Sequence, residues 1–130
     1  AFWFKTTAPD VRLCEAKRYS SYNNRWSDHV VSIEGGKIRF SLQGDQSLET
    51  PGTFHDDQWH HIVTTVGDGG QRLHVDGKLI ATGKLMKRTR TSNRLGLDLG
   101  PGSGTGVVVM DQVKVFGRSL TPAEISVLSD

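Results

Sequence analysis

Residues Gln58 to Gly83 read QWHHIVTTVGDGGQRLHVDGKLIATG, and this stretch decides the fold. It holds three short apolar or alternating runs: Trp59 to Val66, Leu73 to Val75, and Lys78 to Ala81. Gly67-Asp68-Gly69-Gly70 separates the first two, and Asp76-Gly77 the second and third. Glycine enters positive φ without a Cβ clash, and Asp-Gly between alternating runs is a strong hairpin signal. The pattern predicts a three-stranded antiparallel meander.

The chain of 130 residues suits one domain with a sizeable core. Glycine is abundant, at 15 residues, and helix-forming runs are scarce, which points to an all-β domain with tight turns. The formal charge of +2 does not call for nucleic acid or an acidic membrane as partner. No apolar run approaches the ~20 residues of a membrane helix, so membrane insertion is not expected. Cys14 is the single cysteine, which excludes an internal disulfide. The alternation around it sets Leu13 on the opposite face and predicts a buried, inert thiol.

Phe2-Trp3-Phe4-Lys5 opens as a strand with aromatic residues on both faces, and Val11 to Ala16 follows as the next strand. Lys17 to Asp28, KRYSSYNNRWSD, reads as a polar loop. It is long against the usual ~4–6 residues, and long loops are often functional. Rings beside Asn, Ser and Arg also make up adaptable recognition surfaces. The alternative is that Trp26 or Tyr22 folds back to cover one end of the domain, and the loop's composition leaves both readings open.

His29 to Ile33 and Lys37 to Leu42 form a hairpin around Glu34-Gly35-Gly36, with Ile38 and Phe40 facing the core. A short edge strand is expected near Leu48 in the polar segment Gln43 to Phe54. Lys84 to Arg94 contains five basic residues and no acid. Leu95 to Leu99 is a short strand, and Val107 to Phe116 gives the longest strand signal. Its run Val107-Val108-Val109-Met110 has no polar face and predicts burial on both sides. The tail carries the one convincing helix. Thr121 is its N-cap, Pro122 its first position, Glu124 completes a capping box, and Leu120 with Ile125 forms a staple.

Trp59-His60-His61-Ile62-Val63 with Leu73-His74-Val75-Asp76-Gly77-Lys78-Leu79 resembles the centre of a laminin-G-like domain of the concanavalin A-like lectin/glucanase superfamily. The aromatic first strand is similar to the family's opening strand. Asp111 to Phe116 leading into Arg118 to Ile125 resembles its last strand and closing helix. The resemblance implies a two-sheet antiparallel jelly-roll sandwich with a short C-terminal helix. Residues 1–130 then form a single laminin-G-like domain, expected to come from a larger exported protein: extracellular, periplasmic or at the cell surface. It also marks Trp59, His60, His61 and His74 as framework.

Catalysis is not expected. Glycosidase relatives resemble one another in alternating acids on one strand, and hydrolysis needs two facing carboxyl groups. Here Glu15, Glu34, Glu49 and Glu124 are scattered, and Asp56 and Asp57 point opposite ways in extended chain. Ser103 lacks the nucleophile-elbow spacing. His60 and His61 are neighbours on a strand, so they cannot share a zinc ion. Calcium is the cofactor left open, because relatives hold it through rim oxygens. Asp98 and Asp111 are its acids here, with Asp111 expected to share the inward face of Val109 and Val113. A structural hydrogen-bonding role is the stronger reading for Asp111.

The expected function is therefore a non-catalytic binding module for carbohydrate or a sulfated or acidic glycan. Tyr19, Tyr22, Asn23, Asn24, Arg25 and Trp26 would stack on and hydrogen-bond sugar. Arg88, Arg90 and Arg94 would attract acidic groups, if that run is more than a solvated loop. The alternative is an architectural domain that docks on its neighbours and takes no free ligand.

Overall fold

The computed structural model describes residues 1–19, 25–42, 47–67, 70–84, 95–102 and 104–130; for 18–19, 25–28 and 95 it describes the backbone. Among these residues ten strands and one helix form two five-stranded sheets. The first sheet contains β1 (Phe2–Lys5), β6 (His60–Gly67), β7 (Gly70–Val75), β8 (Lys78–Gly83) and β10 (Val109–Asp111), in the order β10-β1-β6-β7-β8. The second contains β2 (Val11–Tyr19), β3 (Arg25–Glu34), β4 (Lys37–Leu42), β5 (Leu48–Glu49) and β9 (Leu95–Leu99), in the order β5-β4-β3-β2-β9. Every pairing is antiparallel. This is the jelly-roll sandwich that the sequence implies.

The meander forms as expected, as β6, β7 and β8. Its Asp76-Gly77 turn has φ of 50° and 77°, both positive as a type I′ hairpin turn requires. Gly35 and Gly36, at 57° and 81°, close β3 onto β4 in the same way. Phe4, Leu13, Ile33, Ile38, Phe40, Ile62 and Leu73 fill the space between the sheets and are at most 1% exposed.

The helix α1 (Pro122–Leu128) carries its full start signal. The Glu124 backbone N–H donates to Thr121 Oγ1 at 3.3 Å, and Thr121 N–H donates to Glu124 Oε2 at 2.8 Å. Arg118 lies across the Glu124 carboxylate. Together they depress the Glu124 pKa to about 2, Arg118 contributing most and Thr121 next. Leu120 and Ile125 pack on Val63, so the helix covers the outer face of the first sheet at β6.

Three local readings are corrected. Lys17 to Asp28 is mostly strand: β2 runs to Tyr19 and β3 starts at Arg25, directly opposite. Ladder pairing satisfies the backbone here without needing an apolar face, so polar composition hid the strands. Second, a bulge between Arg12 and Cys14 inserts one residue into β2. Leu13 and Cys14 therefore both turn towards the core, and burial pushes the Cys14 thiol up to about 11.

Third, Val107 to Phe116 is not a doubly buried strand. Val108 and Met110 pack on the core, whereas Val107 and Val109 are 78% and 49% exposed. β10 is an edge strand, and nothing among the described residues covers its outer side enough to bury them. Asp111 is exposed as well, against the inward reading. Gln112 then adopts φ of 50°, and Ala1 and Lys114 exchange two 2.8 Å backbone hydrogen bonds, one residue beyond the Trp3↔Asp111 register. This second bulge switches parity, so that Val113 and Val115 border an open cleft instead of continuing the pattern of Val109.

Candidate functional site

The strands send their connections to two opposite ends of the sandwich. One end gathers 6–10, 34–37, 50–59, 76–77, 100–102 and 104–106, and backbone hydrogen bonds tie much of it together. Gly36 N–H donates to Pro9 O, Phe54 N–H to Gly36 O and Asp57 N–H to Thr6 O, at 2.8, 2.8 and 3.1 Å. At the other end β2 stops and β3 begins, β4 stops, and β8 stops and β9 begins.

Of the sequence-derived ligand residues, the backbone of Tyr19, Arg25 and Trp26 lies at this second end. Leu95, Arg18 and Trp26 form one row across β9, β2 and β3, and Tyr19 pairs with Arg25 one step further out. The backbone therefore brings Tyr19, Arg25 and Trp26 beside the point where the basic segment enters β9. Tyr22, Asn23, Asn24, Arg88, Arg90 and Arg94 lie outside the described residues. Sequence reading named the two segments but could not place them together, because the β2–β9 pairing is between strands distant in the chain.

Between the sheets, on the side of β9 and β10, is an open cleft of about 390 Å³. Its walls include Leu97 and Leu99 of β9 opposite Val113, Val115 and Phe116, with Cys14 and His29 also on the lining. Leu97, Leu99 and Phe116 are 43%, 50% and 41% exposed. Sequence parity hid this cleft, since the Gln112 bulge creates it.

The outer face of the second sheet is polar and internally paired. Lys17 Nζ stands 2.7 Å from Asp98 Oδ2 and 3.5 Å from Glu15 Oε2, and Arg12 closes on Glu15 from the other side. Arg39 reaches Glu34 at 2.8 Å and Lys37 reaches Glu49 at 3.3 Å. Glu15 and Asp98 are cross-strand partners, a proximity the sequence did not reveal. Each carboxylate faces a cation, as an ion-pair network requires.

The histidines are separately employed. His60 Nδ1 bonds Asp76 Oδ2 at 2.9 Å, and its Nε2 bonds Asp56 Oδ1 at 3.0 Å. His61 Nδ1 bonds Ser129 Oγ at 2.7 Å, and His74 sits opposite Val63. Among the described residues no group of three His, Cys, Asp or Glu is placed to hold a metal. The two acids considered for calcium do not fit one ligand set. Asp98 holds Lys17 on β9, whereas Asp111 Oδ1 accepts from Gln112 N–H on β10 of the other sheet.

These contacts set opposed pH responses. Burial alone would lower the His60 pKa, but hydrogen bonds to Asp76 and Asp56 outweigh it and raise the value above the ordinary 6.5. Burial lowers His61 and His74. By linkage, the His60 contribution is fully present below 6.5 and is lost as pH rises through its raised folded value. Those of His61 and His74 are present above 6.5 and are lost as pH falls. His60→Gln should therefore lower the melting temperature more at pH ~5.5 than at pH ~8.5. An equal loss at both would mean that His60 is not held as an imidazolium.

The antiparallel sandwich with a closing helix defines the class, and the comparisons define the family. Residues 1–126 match the family model described as the concanavalin A-like lectin/glucanases superfamily, and the chain belongs to that superfamily. No curated protein matches the sequence. Similar solved structures include the Trypanosoma rangeli sialidase in complex with sialic acid, with TM-score 0.71 and 19% identity. The same enzyme with 2,3-difluorosialic acid, a covalent intermediate, gives 0.68 and 18%. In both comparisons the match covers 98% of this chain and 22% of the sialidase chain. At this identity the likeness is one of fold.

Among the described residues no helix is long and apolar enough to cross a membrane.

Proposed function

We propose that this domain is a non-catalytic carbohydrate-binding module of a larger exported protein, and that its ligand sits at the end where β2, β3 and β9 meet. The observation that carries this reading is the Leu95–Arg18–Trp26 row. It brings the strand ends that flank the aromatic, amide-rich segment next to the strand end that follows the basic segment. Rings that stack on sugar faces and guanidinium groups that grip carboxylate or sulfate would then act on one ligand. Membership of a lectin and glucanase superfamily supports the ligand class. The acidic-glycan form of the reading rests on Arg88, Arg90 and Arg94.

A glycan array with sulfated, sialylated and neutral members tests it. Trp26→Ala should reduce binding at least tenfold, and retention on a heparin column should fall with salt and with loss of Arg88 and Arg90. Array silence, or binding that survives Trp26→Ala, removes the rim from consideration.

The second reading, an architectural domain docked on its neighbours, draws on the open apolar cleft beside Leu97, Leu99 and Phe116. Iodide quenching of Trp26, with Trp26→Phe as reference, separates the two. A ring open to iodide supports ligand binding, and a shielded ring supports the architectural role.

A further inference from the structure

At the end of the sandwich opposite that rim, Trp59 stands 44% exposed at the foot of β6. Tryptophan is usually well buried, and a large exposed ring costs apolar surface that a framework position would cover. The sequence reading of Trp59 as framework accounts for its place before the strand but not for this exposure.

The ring's surroundings are fixed and polar. Lys5 Nζ lies 5.9 Å from the ring centroid and 3.8 Å from Asp57 Oδ1. Asp57 has φ of 62°, a left-handed conformation that aspartate tolerates better than most residues, and its N–H donates to Thr6 O. Asp56 Oδ1 accepts from Gln58 N–H at 3.0 Å and meets His60 Nε2 at the same distance. His60 is in turn held by Asp76 and lies edge-on to Phe54, with ring centroids 4.9 Å apart. The turn Asp56-Asp57-Gln58 is thus fastened to β1, to β6 and to the β7–β8 hairpin. A side chain on such a turn loses little freedom when a ligand arrives.

We propose that Trp59, with Lys5 and Asp57 at its margin, is a binding subsite for a neutral pyranose. Its chemistry selects that class. The flat indole offers an apolar face for the axial C–H groups of a sugar ring. Asp57 supplies acceptors and Lys5 donors, which is what a polyol needs. Lys5 and Asp57 cancel in charge, so the site attracts neither anions nor cations strongly. Local backbone strain gathered beside an exposed ring agrees with a ligand clamp. This site is separate from the rim and stands or falls without it.

The test uses the indole N–H signals of the full chain, labelled with nitrogen-15, with Trp59→Phe assigning the Trp59 resonance. The methyl pyranosides of glucose, galactose, mannose and N-acetylglucosamine are titrated in turn, and N-acetylneuraminic acid serves as the charged contrast. A saturable shift of the Trp59 signal is expected with at least one neutral sugar, and weaker binding of the acid. Asp57→Ala should weaken the neutral sugar roughly tenfold, the usual scale for losing a charged hydrogen-bond acceptor. The wild-type titration needs no destabilised variant. If none of the four sugars shifts Trp59 saturably, or if Asp57→Ala leaves a saturable shift unweakened, the subsite is refuted. A shift of Trp26 alone supports the rim and refutes this second site.

Discussion

Replacing Phe40 with alanine should destabilise the domain by about 3–5 kcal/mol, a large part of the ~5–15 kcal/mol that holds a domain folded. Phe40 is wholly buried. It pairs with Val31 across β3 and with Leu48 across β5, and His29 stacks on its ring at 6.0 Å. Truncation would remove the transfer energy of the ring and leave a void that strands fixed on both sides cannot collapse to fill. The effect should reach the rim too, because β3 passes over Phe40 before carrying Trp26 beyond the end of β4. Urea denaturation checks the prediction. The midpoint should fall with an unchanged slope, and Phe40→Leu should lose less. A loss below ~1 kcal/mol would mean that β4 is not the centre of the second sheet's packing.

The features that proved legible are local ones. Alternation set Ile38 and Phe40 inward, Asp76-Gly77 set the hairpin, and Thr121 to Ile125 set the helix, since each is decided within a few residues. Two of the failures share one cause, that a single inserted residue reverses every later side chain. The bulge near Leu13 turns Cys14 inward, and the Gln112 bulge sets Val113 on the face opposite to Asp111, where it borders the cleft. No feature of composition marks either bulge; Gln112 in particular is an ordinary residue in an unusual conformation. The candidate site was legible as two segments but not as one place. Arg18 learns of Leu95 only through the folded sheet, and no pattern in the sequence states that pairing. Trp59 is a different case. The resemblance marks it as framework, and its 44% exposure depends on the folded turn at Asp56 to Gln58, which no sequence pattern states.

A glycine series should separate conformational strain from steric contact, with its largest effect at Gly70. Gly52 has an ordinary φ and open space where a Cβ would go, so Gly52→Ala should stabilise by about 0.4–1 kcal/mol through the unfolded chain. Gly35 has φ of +57° with open space, so alanine there should cost the left-handed penalty alone, about 1–2 kcal/mol. Gly70 combines φ of +89° with a Cβ position 2.3 Å from the Gly83 carbonyl oxygen. That oxygen is backbone on the neighbouring strand and cannot swing aside as a side chain could. Gly83 is itself packed against Gln71, where a Cβ would meet the amide nitrogen at 2.6 Å. Gly70→Ala must therefore carry about 1–3 kcal/mol of strain and also push the end of β8 away from β7. The displaced residues, Gly83 and Lys84, are those from which the basic segment departs. Stability should fall more than for Gly35→Ala, and amide exchange should quicken at Gln71 and Gly83 while the Asp76-Gly77 turn keeps its protection. If Gly70→Ala is no worse than Gly35→Ala, the two strand ends lie further apart than this packing requires, and the basic segment has a looser root than the sheet suggests.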